Sequence, residues 1–152
     1  MIIDFIGQFQ YNVDSKNRVN IPSRFRKILT EAGVENLVIA KGIDERCIVI
    51  YPEPQWENMM HKLNESLSSL KQTHKKFLRQ ITRFASRCPI DSAGRITLTN
   101  DLMNYSEILK EVIIVGTLNK IEIWNPDILE NYENESPLSK EDFNSLANDV
   151  LI

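Results

Sequence analysis

The chain has 152 residues, 42% of them hydrophobic and 26% charged, and a formal net charge of −3. This is the composition of an ordinary globular protein, long enough for one domain or for two small ones sharing a core. No apolar run approaches the roughly 20 residues of a membrane span, and Met1-Ile2-Ile3-Asp4-Phe5 lacks the basic start and small-residue cleavage site of a secretory signal, so neither a membrane partner nor export is expected.

From the N-terminus, Phe5 to Val13 alternates at period two and predicts a strand with one buried face. Asp14-Ser15-Lys16-Asn17-Arg18 reads as a polar turn between two strands, and Val19-Asn20-Ile21 as a short strand ended by Pro22. Ser23 suits the N-cap of a helix through about Thr30, and Gly33 suits its stop. Leu37–Ala40 and Cys47–Tyr51 complete a ββαββ unit closed by Pro52-Glu53-Pro54. Residues 55–86 read as helical, with Trp56, Leu63, Leu70, Phe77 and Phe84 recurring every seventh position and Ser68, Ser69 and Thr73 as points where the helix divides.

The same unit then returns. Ile90-Asp91-Ser92-Ala93-Gly94-Arg95-Ile96-Thr97-Leu98 repeats Val13 to Ile21 at a spacing of 77 residues, followed by a helix capped by Thr99 or Asn100 and running to about Leu109. Strands at Val112–Val115 and Lys120–Trp124 follow, the last resembling Ile48–Pro52. Tyr132–Pro137 is acidic and polar and reads as a linker, whereas Ser139-x-x-Asp142 ahead of Phe143, Leu146 and Val150 predicts a short capped helix with an uncovered apolar side.

Charge is uneven along the chain. Residues 1–100 hold 15 Lys/Arg against 10 Asp/Glu, and residues 101–152 hold 3 against 11, an asymmetry that hints at a polyanion partner for the first part. One basic concentration is Lys16, Arg18, Arg24, Arg26 and Lys27; the other is the four-spaced series Lys71, Lys75, Arg79, Arg83 and Arg87. The second reads first as a solvated helix face opposite a packed one and only then as a binding stripe, whereas the first is fixed by a turn.

The repeated turn has a chemical logic. Asp14 and Asp91 can accept backbone N–H bonds from residues just ahead, while Asn17 and Gly94 are residue types that tolerate positive φ. Arg18 and Arg95 follow in a fixed direction, and guanidinium suits bidentate contact with phosphate or a guanine edge. Pairing of each Asp with its own Arg, purely to stabilise the turn, is an equal reading at this level. Cys47 and Cys88 lie in apolar contexts without metal-binding spacing and read as reduced core residues. With no metal cluster, Ser/His/Asp set or phosphate-cradling loop, the chain reads as a non-enzyme without metal, cofactor or small-molecule substrate.

The paired D-S-K-N-R and D-S-A-G-R segments, with Asn20-Ile21-Pro22-Ser23-Arg24-Phe25-Arg26 after the first, resemble the MraZ family of bacterial transcriptional regulators, over nearly the whole chain. The resemblance implies an α+β fold of duplicated ββαββ units forming an AbrB-like swapped-hairpin, double-psi-like β-barrel, with a helical segment between the repeats. The corresponding boundaries are residues 8–55 and 85–128 for the two AbrB-like domains, 56–84 for the helical connector and 129–152 for the acidic C-terminal tail. It further implies a cytoplasmic, nucleoid-associated repressor that forms homo-oligomeric rings. Its expected partner is double-stranded DNA, at short direct repeats in the promoter of the division and cell-wall gene cluster, generally its own operon. The alternative is a ring-forming structural protein that does not bind DNA. The family's D-x-x-x-R motif carries over to Asp14 with Arg18 and Asp91 with Arg95, and Lys16 matches the first-copy pattern; Arg24 and Arg26 join them as expected DNA contacts. Asn17 stands where Gly is usual and Ala93 leaves the second turn without a lysine, so unequal contributions are expected, the first turn leading.

Overall fold

The computed structural model describes residues 3–152; Met1 and Ile2, the start of the segment read for an export signal, lie outside the described residues. The first copy runs β1 (Phe5–Asn12), β2 (Arg18–Asn20), α1 (Ser23–Glu31), β3 (Asn36–Lys41) and β4 (Ile48–Pro52). Helices α2 (Glu53–Ser66) and α3 (Gln72–Thr82) follow, then the second copy as β5 (Ser86–Pro89), β6 (Arg95–Thr97), α4 (Asn100–Ser106), β7 (Glu111–Leu118) and β8 (Ile121–Trp124). The chain ends in α5 (Pro126–Glu135) and α6 (Lys140–Leu151).

The strands flanking each polar turn do not pair with one another. Strand β1 pairs with β7 and β5 with β3, both antiparallel, and β4 pairs with β8, giving a six-stranded sheet in the order β1-β7-β8-β4-β3-β5. The order is a palindrome under exchange of the copies. The arms that leave the turns, β2 and β6, form a separate two-stranded ribbon with Arg18 opposite Thr97, Val19 opposite Ile96 and Asn20 opposite Arg95. Each end of the ribbon continues into the other copy's turn, through Ile21 N–H to the Gly94 carbonyl and Leu98 N–H to the Asn17 carbonyl. This is the swapped-hairpin barrel of an α+β fold, with hairpin arms exchanged between copies.

The exchange follows from burial. Phe5, Val13, Val19, Ile21, Ile39, Ile48, Ile50, Ile96, Leu98, Ile114 and Ile123 point inward from both copies into one core, closed by Phe25 and Leu29 of α1 and Leu102 of α4. A hairpin zipped on itself would leave each copy a half-core; interleaving gives one continuous apolar interior. On the outer face of the sheet, Val38, Ala40, Val49, Tyr51 and Trp124 pack against Trp56, Met59, Met60 and Ile81 of α2 and α3 and Ile128 and Leu129 of α5. Strand β4 is buried along its whole length because both faces are covered.

Several predicted details change. Pro22, not Ser23, is the N-cap of α1, and Ser23 is its first helical residue with no capping bond, because the proline ring already sets the extended approach to the helix. Helix α4, capped by Thr99 as expected, stops at Ser106 rather than near Leu109, where Glu107 turns left-handed at φ 56°. The helical stretch breaks over 67–71, so Leu70 leaves the expected apolar series and is 89% exposed. Ser86 belongs to β5 rather than to the end of that stretch. Most of the expected Tyr132–Pro137 linker is the last part of α5, which Asn125 caps by accepting from Asp127 N–H, with Pro126 at the first turn. The terminal helix α6 forms as expected, with Asp142 N–H bonded to Ser139 Oγ at 3.0 Å. No helix among the described residues is long and apolar enough to cross a membrane.

Candidate nucleic-acid interface

In the first turn, Asp14 Oδ1 accepts the N–H of Lys16 (2.9 Å) and of Arg18 (2.8 Å), and Oδ2 accepts Arg18 Nε at 2.7 Å. In the second, Asp91 Oδ1 accepts the N–H of Ala93 and of Arg95, both at 2.9 Å, and Oδ2 accepts Arg95 Nε at 3.0 Å. The backbone closes identically, with Asp14 N–H on the Arg18 carbonyl and Asp91 N–H on the Arg95 carbonyl. Asn17 at φ 61° and Gly94 at φ 81° supply the left-handed residue. Both aspartates are held below the usual carboxylate range, first by the backbone N–H of the following arginine, against partial desolvation, and further by its side chain.

Pairing with Asp and presentation to a ligand are therefore compatible. Each carboxylate engages Nε, the inner edge of the guanidinium, while the side chains of Arg18 and Arg95 remain about one-third exposed. The aspartate fixes the arginine's direction and leaves the two terminal nitrogens for another acceptor.

The strand pairing brings the two arginines together. Val19 and Ile96 are buried in the core, so by the period-two rule Arg18, Asn20, Arg95 and Thr97 share the outer face of the ribbon. Arg95 lies opposite Asn20, one diagonal step from Arg18, which sets the two Cα atoms roughly 7–8 Å apart. Separated in sequence by 77 residues, they occupy one short exposed ribbon.

The other expected residues are placed differently. Lys16 is exposed at the tip of the first turn. Arg24 is exposed on α1 and sits over the Phe9 ring at 5.9 Å, with Lys27 also exposed one turn on. Arg26 is half-buried, donates Nε to the Ile21 carbonyl at 3.0 Å, and packs beneath the second turn rather than the first. A Cβ on Gly94 would lie 2.7 Å from its guanidinium carbon. The first turn has a different support: Asn17 Nδ2 donates to Asn100 Oδ1, on the first residue of α4, at 2.8 Å. Sequence reading took Asn100 only as a possible helix cap and missed it as a turn support, a role that its counterpart 77 residues earlier, Ser23, does not signal. Of the second basic series, Lys75 and Arg79 lie within α3, Lys71 and Arg83 flank it, and Arg87 is in β5, paired with Glu53 at 2.8 Å. The series is not one helix face. Among the described residues no group of three or more His, Cys, Asp or Glu is placed to hold a metal ion.

Two interleaved copies, each carrying an Asp-anchored arginine turn on a shared core, define a duplicated swapped-hairpin barrel with its turns presented on a central ribbon. The sequence pattern of the family described as "MraZ protein" matches residues 5–80 and again 81–150. The chain is 40% identical over 146 residues to "Transcriptional regulator MraZ" of Finegoldia magna, covering 96% of this chain and 98% of the relative. It is 34% identical over 147 residues to the protein of that name in Natranaerobius thermophilus, covering 97% and 96%. The chain belongs to the MraZ family, whose relatives carry the name of a regulator and not of an enzyme.

Proposed function

We propose that this chain is a DNA-binding transcriptional regulator acting as a repressor. Its sites are short direct repeats in the promoter of the division and cell-wall gene cluster, its own operon included. The single observation that supports this reading best is the shared outer face of the β2–β6 ribbon, which carries both arginines, each held by its own aspartate through Nε and partly exposed. Arg18 and Arg95 are the principal contacts, Lys16 and Arg24 add phosphate contacts from the first turn and α1, and Asp14 and Asp91 act by holding the arginines. Arg26 acts through the second turn, as its support. The working boundaries of the two AbrB-like domains are residues 8–55 and 85–128, with a connector at 56–84 and a tail at 129–152.

One ribbon neutralises few phosphates and binds weakly by itself, because affinity scales with the number of counterions released. A homo-oligomeric ring places several ribbons on successive repeats and multiplies their effect through effective concentration, with the acidic C-terminal part turned away from DNA. The protein then works in the cytoplasm, at the nucleoid. Fluorescence anisotropy on the gene's own upstream region tests the reading. Arg18→Ala and Arg95→Ala are each expected to weaken specific binding by roughly 1–3 kcal/mol per engaged site, without loss of the folded state. Undiminished specific binding by Arg18→Ala would refute the site; a wild-type ring with no preference for that DNA would favour a structural protein instead.

A further inference from the structure

A groove of about 450 Å³ lies between α2, α3 and the β3–β4 connection, and its lining includes none of the residues proposed to contact DNA. That volume is within the roughly 300–1,000 Å³ of small-molecule sites. Five aromatic residues line it, Tyr51, Trp56, Phe77, Phe84 and Tyr105. The charges in the lining are two cations, Lys41 and Arg83, against one carboxylate, Asp44. Lys41 Nζ stands 4.1 Å from the Phe84 ring centroid and 4.7 Å from that of Tyr105, and Arg83 Cζ stands 4.4 Å from that of Phe84. Neither cation forms an ion pair among the described residues.

Two neutral donors are also left over. Tyr51 and Trp56 are each 6% exposed and their ring centroids lie 5.6 Å apart, yet neither the Tyr51 hydroxyl nor the Trp56 indole N–H finds an acceptor among the described residues. Buried Tyr and Trp usually find one, as Trp124 does by donating Nε1 to Glu122 Oε1 at 2.8 Å. Gln55 Oε1 is the one fully enclosed side-chain atom without a partner among the described residues, so both donors reach accessible space, and both residues line the groove.

We propose that this groove binds a small planar monoanion, an aromatic carboxylate of the size of benzoate or naphthoate. Its carboxylate meets Lys41 and Arg83, which have no carboxylate partner of their own, and its flat body packs among the aromatic residues. Unpaired donors outnumber acceptors in the lining, so the ligand that completes it is rich in acceptors. An aromatic cage alone would suit a cation, but Lys41 and Arg83 already stand over the Phe84 and Tyr105 rings and repel one. A polyanion is disfavoured because Asp44 offsets one of the two cations. Lys75 and Arg79 take no part: Phe77, Gln80, Ile81 and Phe84 line the groove, and by the helical period Lys75 and Arg79 fall on the other side of α3. The site does not rest on DNA binding and shares no residue with it.

Full-length protein carrying fluorotryptophan has two fluorine reporters, at Trp56 and Trp124, which Trp56→Phe assigns. Titration with 2-naphthoate is expected to move the Trp56 resonance saturably and to leave that of Trp124, 1% exposed in the core, in place. The uncharged 2-naphthamide is expected to bind roughly tenfold more weakly, having lost the charge-assisted contacts. Lys41→Met with Arg83→Met, which keeps the apolar stems, is expected to weaken naphthoate binding by at least roughly tenfold. Lys75→Met with Arg79→Met removes the same charge from the other side of α3 and is expected to leave binding unchanged. A Trp56 resonance that never saturates, equal binding of the amide, undiminished binding by the Lys41 and Arg83 variant, or an equal loss in the Lys75 and Arg79 variant would each overturn the proposal. Arg18→Ala keeps the two readings apart: it is expected to bind naphthoate like the wild type while losing specific DNA binding.

Discussion

Gly94 is the position where a single methyl group should reveal how the second turn is supported. It holds φ 81°, a conformation that disfavours any residue with a Cβ by roughly 1–2 kcal/mol. That Cβ would also lie 2.7 Å from the Arg26 guanidinium, which is itself tied to the Ile21 carbonyl at 3.0 Å. The guanidinium is the flexible end of its side chain and can move, but moving forfeits the hydrogen bond, a loss of about 0.5–1.5 kcal/mol. Gly94→Ala should therefore destabilise by roughly 1.5–3.5 kcal/mol, a drop in Tm of about 3–14 °C for a chain of this size.

The two contributions separate in a double-mutant cycle. With Arg26→Ala already present, Gly94→Ala should cost only the conformational part, leaving a coupling of about 1 kcal/mol between the two positions. Urea unfolding at one fixed protein concentration reads all four corners, since association shifts apparent stability. Additivity within about 0.3–0.5 kcal/mol would refute the claim that Arg26 supports this turn. The first turn supplies the contrast. Asn17→Gly relieves the left-handed strain and loses the exposed bond to Asn100, so it should change stability by less than about 0.5 kcal/mol.

Acid should loosen both turns. Because the folded pKa of Asp14 and Asp91 lies below the unfolded value of 3.8, their contribution is fully present above about pH 5 and is lost as pH falls through 3.8 to the folded values. Asp14→Asn with Asp91→Asn should flatten that limb of a stability-versus-pH curve, and an unchanged limb would show that the carboxylates do not hold the turns. Burial pushes the Cys47 and Cys88 thiols up to about 12, so neither is a thiolate at pH 8. A thiol reagent should therefore label both only as fast as the protein opens, and rapid labelling of native protein would contradict their placement in the core.

The parts of this structure that are legible in sequence are those settled within a few residues. An aspartate oxygen reaches N–H groups two and four residues on, Asn17 and Gly94 declare positive φ by residue type, and Thr99 and Ser139 announce their helices. The signal for α5 is equally local, Asn125-Pro126-Asp127 being an N-cap, a first-turn proline and an acidic first turn; the polar run from Glu130 to Glu135 hides it. What sequence does not display is partnership over distance. The periodicity of β1 announces a strand but not that its partner is β7, and nothing near Arg26 indicates that its guanidinium lies under Gly94.

That exchange alters what the difference between the turns means. Asn17 against Gly94, and Lys16 against Ala93, invite the view that one half is the functional copy and the other a relic. The supports argue otherwise. The first turn is held by Asn100 of the second copy's helix, and the second turn by Arg26 of the first copy's helix. Gly94 leaves room for the arginine beneath it, whereas Asn17 uses its side chain to reach the helix that faces it. Each substitution is thus the complement of a residue in the opposite copy, and the β2–β6 ribbon requires an arm from both. Each arginine takes its direction from its own repeat's aspartate but its place on the ribbon from both repeats, so the unit that presents Arg18 and Arg95 is the interleaved pair.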